Sequence, residues 1–159
     1  MYKRQFTSDE DPSLVTRNFE YRDNVIPASN SIMAKNLLVL SHHFDNQTYA
    51  ATAVQMLKNV LPEIEQYPSS FGNWLDLLAH FQNKYYEIVV VGEDAKEKIK
   101  EINSYYLPNK LIAGSTKKGS SPLLEERYIE NETFVYVCVN NSCKLPEKEV
   151  KKAINPIKL

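Results

Sequence analysis

The amino-acid sequence predicts a mixed α and β fold, in which a run of core helices is followed by a small three-stranded, parallel βαβ unit. Two observations lead to this prediction. Apolar residues recur at helical spacing up to about residue 83, and the pattern then changes to short β-branched runs bounded by turn-forming residues. With 159 residues, of which 43% are hydrophobic, the chain is long enough to bury one ordinary core.

Residues 6–28 are polar and rich in turn-forming residues, and Pro27 ends this irregular segment. Ser29 or Asn30 can then cap a first helix that continues to about Phe44. The apolar residues of this helix form a face that is broad enough to predict burial on more than one side. They are Ile32, Met33, Ala34, Leu37, Leu38, Leu40 and Phe44.

A second helix is predicted to begin near Thr48, and Pro62 is expected to kink or split it. Ser69 or Ser70 can cap a third helix, whose apolar face includes Trp74. Because the connections are short, the three helices are expected to be neighbours in space.

The second half of the chain predicts short strands that alternate with helices. Residues 87–92 are a β-branched run ending in glycine, which is typical of a buried strand, and Asp94 can cap a helix at 95–106. With a second strand at 110–114, these elements make a βαβ unit. The remaining predicted elements are a short helix at 123–129, a third strand at 133–139 and a short basic helix at 147–155.

Composition and charge exclude several classes of function. Nineteen basic and twenty acidic residues give a formal net charge of -1, and no basic stretch interleaves with aromatics, so nucleic-acid binding is not expected. No apolar run approaches the roughly 20 residues that cross a bilayer, so membrane association is not expected either. Because the start also lacks an apolar signal region, the sequence predicts a cytoplasmic protein.

No cofactor and no metal site are predicted. The strand at 87–92 ends in a single glycine followed by Glu93 and Asp94, and two carboxylates would repel a phosphate group. Two cysteines and three scattered histidines give no closed set of ligands for zinc.

The first five residues suggest an unusual origin. Met-Tyr-Lys-Arg-Gln is the translation of GTG TAT AAG AGA CAG, the end sequence of a transposon commonly used in sequencing libraries, when GTG is read as a start. We therefore hypothesise that residues 1–5 are a technical scar and that the native chain continues upstream. Recovery of the native gene with a true start codon at this position would contradict the hypothesis.

Four segments resemble a known family in the same order along the chain. Residues 23–31 read Asp-Asn-Val-Ile-Pro-Ala-Ser-Asn-Ser, where the family has approximately D-x-x-x-P-S-x-N-S. The other three are Tyr86–Gly92, Leu107–Lys110, and Tyr136–Cys138 with Cys143 and Pro146. Together they are similar to the thioredoxin-domain-containing proteins, which include the spermatogenesis-associated type. Ala28 departs from the pattern, because the family often has serine after the proline.

The resemblance implies that the chain is the C-terminal part of a larger protein. Members of this family have an N-terminal thioredoxin-like domain followed by an α/α toroid, which is similar to that of N-acylglucosamine 2-epimerases and six-hairpin glycosidases. Residues 6–83 would then supply the C-terminal helices of the α/α toroid, and residues 84–159 a small α/β appendage packed on them. The implied partners are the upstream part of the same protein and a small carbohydrate.

The loop that leads into the first helix is the strongest candidate for a ligand site. Asp23, Asn24, Asn30 and Ser31 are polar residues beside a helix N-terminus, where backbone N–H groups and the helix dipole attract polar ligand groups. In a toroid this end could face the central cavity and bind a hydroxyl-rich ligand, with Asp23 as an acceptor or general base. The alternative is that Asp23 and Asn24 only fold the loop, while Ser29 or Asn30 caps the helix.

His42 and His43, near the end of the first helix, are weaker candidates for catalysis. Epimerase-like barrels use histidines to move a proton beside a carbonyl, a role that suits an imidazole. Adjacent residues point about 100° apart on a helix, so at most one of the two could face a cavity. The alternative is a histidine that interacts only with the helix C-terminus, and His80 is expected to pack in the core.

Cys138 and Cys143 are separated by Val-Asn-Asn-Ser, a turn-forming sequence that could bring the two sulfurs together. A redox pair requires a thiolate, which the nearby Lys144 would favour. The spacing differs from the C-x-x-C of thioredoxin, and cysteines in strands are more often small buried hydrophobic residues. A redox role predicts that the two Cα atoms lie within about 7 Å of each other.

Three functions are therefore open. The first is part of a carbohydrate-active or epimerase-like barrel, in which the loop at 23–31 lines the cavity. The second is a redox-linked protein, in which Cys138 and Cys143 work with a thioredoxin-like domain. The third is a non-catalytic scaffold.

Overall fold

The structure is a computed structural model that describes residues 19–140 and 142–157. The hypothesised scar at residues 1–5 and the first part of the segment 6–28 lie outside the described residues. The elements are α1 (Ser29–Phe44), α2 (Gln47–Gln66), a 3-10 helix (Pro68–Ser70), α3 (Gly72–Gln82), β1 (Tyr86–Val91), α4 (Ala95–Ile102), β2 (Lys110–Ser115), β3 (Phe134–Val139), β4 (Ser142–Cys143) and α5 (Val150–Ile154). No helix within the described residues is both long enough and apolar enough to cross a membrane.

The described chain divides into two compact units. The helical unit contains residues 19–41 and 46–79, and the sheet unit contains residues 42–45 and 80–157. The last residues of α1 and of α3 therefore belong to the sheet unit. Each unit has its own hydrophobic core.

The helical unit is built from the three helices that the apolar spacing predicts. Asn46 caps α2, because its Oδ1 accepts hydrogen bonds from the backbone N–H groups of Thr48 and Tyr49. α2 continues through Pro62 to Gln66, so Pro62 does not split the helix, and a kink at this position stays a prediction. The core of this unit consists of Ala34, Leu38, Ala53, Met56, Leu57, Val60, Ile64, Phe71, Trp74 and Leu77.

The sheet unit has four strands in the order β2-β1-β3-β4. β1 pairs parallel with β2 and antiparallel with β3, and β3 pairs antiparallel with β4. Because side chains alternate between the two faces of a strand, every second residue of β1 and β3 joins one apolar core with α4 and α5. This core consists of Tyr86, Ile88, Val90, Ala95, Ile102, Val135, Val137, Val150, Ala153 and Ile154.

The predicted fold class, C-terminal helices of an α/α toroid followed by a three-stranded parallel βαβ unit, is wrong. The described residues form a small mixed α/β structure with five α-helices and a four-stranded mixed sheet. Only one part of the prediction is found: β1 and β2 pair parallel and are connected by α4. Residues 116–133 contain turns instead of the short helix expected at 123–129, and without a crossover helix the chain returns antiparallel. Asn140, with a φ of 49°, lies in the turn that adds β4.

Candidate functional site

The polar loop before α1 is folded by Asp23. Its carboxylate accepts hydrogen bonds from the backbone N–H groups of Ala28 at 2.9 Å and Asn73 at 2.8 Å. Ser31 Oγ lies 2.7 Å from Oδ1 of the same carboxylate. Burial raises the pKa of Asp23, but these hydrogen bonds together outweigh burial and hold the pKa below its ordinary value. The carboxylate therefore joins the loop to the start of α1 and the start of α3.

The other predicted ligand-binding residues surround the same loop. Asn30 and Ser31 are buried, and Asn30 Nδ2 donates to the backbone oxygen of Glu20 at 2.6 Å. Asn24 is exposed, and its backbone N–H donates to the backbone oxygen of Ile26 at 3.1 Å. The hydrogen bonds of these residues are thus made within the helical unit itself. This geometry fits the structural alternative, and binding of a ligand by the loop stays a prediction.

His42 pairs with a buried acid that the sequence analysis did not identify. His42 Nδ1 lies 2.7 Å from Oε1 of Glu87, which belongs to the inner strand β1. Glu87 is only 1% exposed, and the side chain of His42 is 15% exposed. A buried carboxylate requires such partners, because an isolated charge is strongly disfavoured away from water.

Aromatic rings surround this pair. Tyr85 stacks on His42 with ring centroids 4.5 Å apart, and His80 contacts Tyr85 edge-on at 5.5 Å. Burial, followed by the negative charge of Glu87, raises the pKa of the Tyr85 hydroxyl. His43, the adjacent candidate, contacts the phenyl ring that follows it in the sequence.

Cys138 and Cys143 form a disulfide between β3 and β4. Their Cα atoms are 3.9 Å apart, which meets the distance condition that the sequence analysis set for a redox pair. Cys138 is fully buried, whereas Cys143 is exposed. The bond therefore joins a cysteine inside the sheet unit to a cysteine at its surface.

Arg127 is held beside the exposed half of the disulfide. Its Nη2 donates to Cys143 Sγ at 3.3 Å. Its Nη1 donates to the backbone oxygens of Pro122 and Leu123. The guanidinium carbon lies 5.8 Å from the centroid of the Tyr136 ring. These contacts fix a positive charge next to the sulfur of Cys143.

The buried acid and the buried cysteine are cross-strand neighbours. Glu87 of β1 is directly opposite Cys138 of β3 in the antiparallel register. Residues paired in this way project to the same face, with Cβ atoms about 5 Å apart. We call His42, Glu87, Cys138 and Cys143 the acid–disulfide cluster. In the part of the chain that the structure describes, no group of three or more His, Cys, Asp or Glu side chains could hold a metal ion.

The sequence contains one signal that marks Glu87 as unusual. Glu87 is a charged residue in the buried apolar run 86–91, and buried acids are rare unless they are paired. Its position opposite Cys138 depends on strand register, which the spacing of residues along the chain does not reveal.

The chain is similar to spermatogenesis-associated protein 20 of Homo sapiens. The two are 26% identical over 149 residues, which is 85% of this chain and 19% of the relative. The chain thus spans about a fifth of the length of that protein. At this low identity, the match supports the resemblance to thioredoxin-domain-containing proteins but not the toroid. No family model matches the chain, and no solved structure matches it.

Proposed function

We propose that the chain performs thiol–disulfide exchange as the C-terminal part of a longer thioredoxin-domain-containing protein. In this proposal the disulfide exchanges electrons with the dithiol of a thioredoxin-like domain. The observation that carries the proposal is the asymmetry of the bond, which joins buried Cys138 to exposed Cys143 beside Arg127. The similarity to spermatogenesis-associated protein 20 supports the family context.

The asymmetry gives the two cysteines different roles. During reduction, an incoming thiolate attacks the exposed Cys143 Sγ and forms a mixed disulfide, while the Cys138–Cys143 bond breaks and Cys138 leaves with the electron pair. The second thiolate of the incoming dithiol then attacks the first sulfur of that dithiol, which is bonded to Cys143. This attack breaks the mixed disulfide and releases Cys143 as a thiolate. The incoming dithiol is oxidised to a disulfide. Its two protons and two electrons are transferred to this chain, in which Cys138 and Cys143 become thiols.

Arg127 supports the exchange because a positive charge stabilises the thiolate of Cys143. Its bonds to the backbone oxygens of Pro122 and Leu123 hold it in place before the disulfide opens. We also propose the cytoplasmic location that the sequence predicts. In that compartment stable disulfides are rare, and those that form are usually catalytic or redox-sensing.

A carbohydrate-related function of the loop at 23–31 is the second candidate. Asp23, Asn30 and Ser31 would have to exchange their present hydrogen bonds for bonds to a sugar. A panel of monosaccharides tests this function, because a ligand that binds only the folded chain raises its unfolding temperature. A stabilising sugar whose effect is lost in Asn30→Ala would favour this function over the redox proposal.

The redox proposal is tested by equilibrating the 159-residue chain in thiol buffers of graded potential. Alkylation and mass spectrometry then measure the fraction in which Cys138 and Cys143 are oxidised. We expect a midpoint above about −300 mV, because structural disulfides that resist glutathione lie below that value. A midpoint below it would identify a structural bond and support the non-catalytic scaffold.

Two matched variants test the different roles of the cysteines. Cys138→Ser retains the exposed thiol and is expected to react rapidly with oxidised glutathione. Cys143→Ser retains the buried thiol and is expected to react slowly, because access to sulfur limits exchange. Equal rates for the two folded variants would contradict the proposed asymmetry.

A further inference from the structure

We infer that Glu87, oriented by His42, moves the proton of Cys138 during thiol–disulfide exchange. The inference deepens the function proposed above and rests on it. Glu87 acts as acid and base toward the reacting thiol. His42 is a positioning residue, because it holds the Glu87 carboxylate and does not act on the sulfur itself.

The sheet brings the acid and the thiol together. Glu87 and Cys138 are paired in the register of β1 and β3, so their side chains leave the same face with Cβ atoms about 5 Å apart. From that separation a glutamate side chain is long enough for its carboxylate to approach a cysteine sulfur. Glu87 is 1% exposed and Cys138 is 0% exposed, so the two groups share an environment that excludes water.

A buried cysteine needs a neighbouring group to take or supply its proton. Reduction releases Cys138 as a thiolate at a site where an isolated charge is strongly disfavoured. Arg127 contacts Cys143 Sγ, so its positive charge stabilises a thiolate at the exposed sulfur. The register places Glu87 directly opposite Cys138, on the neighbouring strand.

The titratable groups around Glu87 provide a path for the proton. His42, from the end of α1, lies 2.7 Å from Oε1 of Glu87. Tyr85 stacks on His42, and His80, from the end of α3, contacts Tyr85. The side chain of His42 is 15% exposed, so a proton that reaches Glu87 can pass through His42 to water.

Closure of the disulfide proceeds in two balanced steps. The Cys143 thiolate attacks oxidised glutathione, forms a mixed disulfide and releases one glutathione thiolate. Cys138 then gives its proton to the Glu87 carboxylate and attacks Cys143 Sγ. The Cys138–Cys143 bond forms, and the second glutathione leaves as a thiolate with the electron pair of the broken bond. Opening of the disulfide reverses these transfers, and Glu87 returns the proton to Cys138.

The experiment follows the reaction of the reduced chain with oxidised glutathione over a range of pH. Acid quenching and mass spectrometry measure the reduced, mixed-disulfide and closed forms separately. In Glu87→Gln the first step is expected to keep its rate, whereas closure slows at least about tenfold, since general acid–base catalysis contributes roughly 10²–10⁴-fold. The mixed disulfide then accumulates.

Control variants distinguish proton transfer from damage to the fold. Loss of structure would expose Cys138 and would not cause the mixed disulfide to accumulate. Glu87→Asp keeps a carboxylate and is expected to restore part of the closure rate. Lys96→Gln changes an exposed residue of α4 that is not part of the acid–disulfide cluster, and it is expected to leave closure unchanged. An aspartate variant as slow as the glutamine variant would count against proton transfer.

The inference and the proposed function fail in different ways. If wild type reacts with oxidised glutathione and Glu87→Gln closes at the same rate at every pH, the inference is overturned and the proposed function stands. If the wild-type chain does not react at all, the proposed function fails, and the inference fails with it.

Discussion

Two carboxylates of this chain, Asp23 and Glu87, are held by specific partners but in different environments. Asp23 accepts its hydrogen bonds from backbone and hydroxyl groups of the helical unit, where it fixes a loop. Glu87 lies inside the sheet unit and is bonded to His42, which is 45 positions away in the sequence. The first carboxylate therefore governs local stability, and the second lies where chemistry on a neighbouring thiol can take place.

Asp23→Asn is expected to lower the free energy of unfolding by about 1–2 kcal/mol at neutral pH, because hydrogen bonds to an ionised acceptor are weakened. The pKa of Asp23 is lowered in the folded chain. Its contribution is therefore present above the ordinary aspartate pKa and is lost as the pH falls through the folded-state pKa. Urea unfolding at a series of pH values should show the variant and wild type converging in acid, and a constant difference would contradict this account.

Arg127→Gln is expected to slow alkylation of Cys143 in the reduced chain roughly fivefold at neutral pH. The reason is the loss of a charged donor beside the thiolate, an interaction of about 1 kcal/mol for a half-exposed group. The rate is measured with iodoacetamide in the Cys138→Ser background. Lys96→Gln, which removes one positive charge from the exposed surface of α4, is the control and should leave the rate unchanged. A similar loss in both variants would indicate a general effect of charge.

The sequence identifies some members of the acid–disulfide cluster but not their arrangement. His42 and the two cysteines are singled out by residue type and spacing, since these groups carry proton-transfer and thiol chemistry. Glu87 is missed because its partners come from strand register and from a helix that ends 43 residues earlier, at Phe44. Such long-range pairing is set by packing, which the order of residues does not display.

The end of β1 depends on a single glycine. Gly92 has a φ of +132°, a conformation that side chains rarely adopt. A Cβ atom at this position would also collide with the backbone oxygen of Glu132 and with Oγ1 of Thr133. Gly92→Ala is therefore expected to lower the free energy of unfolding by about 2–4 kcal/mol.

Gly72→Ala is the matched control for this prediction. Gly72 begins α3, its φ is not positive, and a Cβ atom there would meet nothing within 4 Å. Alanine at this position is expected to leave stability unchanged or to raise it by about 0.5 kcal/mol. Urea unfolding of both variants measures the difference. An equal loss of stability in the two would show that Gly92 is not specifically required.

The sequence predicts the positions of the helices and strands better than it predicts whether neighbouring strands run parallel or antiparallel. α1 begins at Ser29 and ends at Phe44, close to the bounds that the sequence predicts. Ala34 and Leu38 are buried as expected, but Ile32, Leu40 and Phe44 remain more than a third exposed. Strand direction depends on whether a crossover helix forms before β3, and residues 116–133 have no pattern strong enough to decide this.

Two separate cores give the molecule a division that suits a redox role. The helical unit and the sheet unit each bury their own apolar residues, and the disulfide belongs entirely to the sheet unit. Its opening can therefore change β4 without altering the apolar cluster that β1 and β3 form with α4 and α5, because neither cysteine is a member of that cluster. An exchange protein needs this property, since both redox states must remain folded.

Reduction is expected to lower the stability of the whole chain only modestly. Cys138 and Cys143 are five positions apart, and a loop of that size contributes about 2 kcal/mol in the chain-entropy account of disulfides. The larger apolar core of β1, β3, α4 and α5 should hold the sheet unit together without the bond. Circular dichroism and urea unfolding, with and without reductant, measure the effect, and the double serine variant should match the reduced chain. Collapse of the fold on reduction would identify the disulfide as a structural staple, which is incompatible with a protein that cycles between its two redox states.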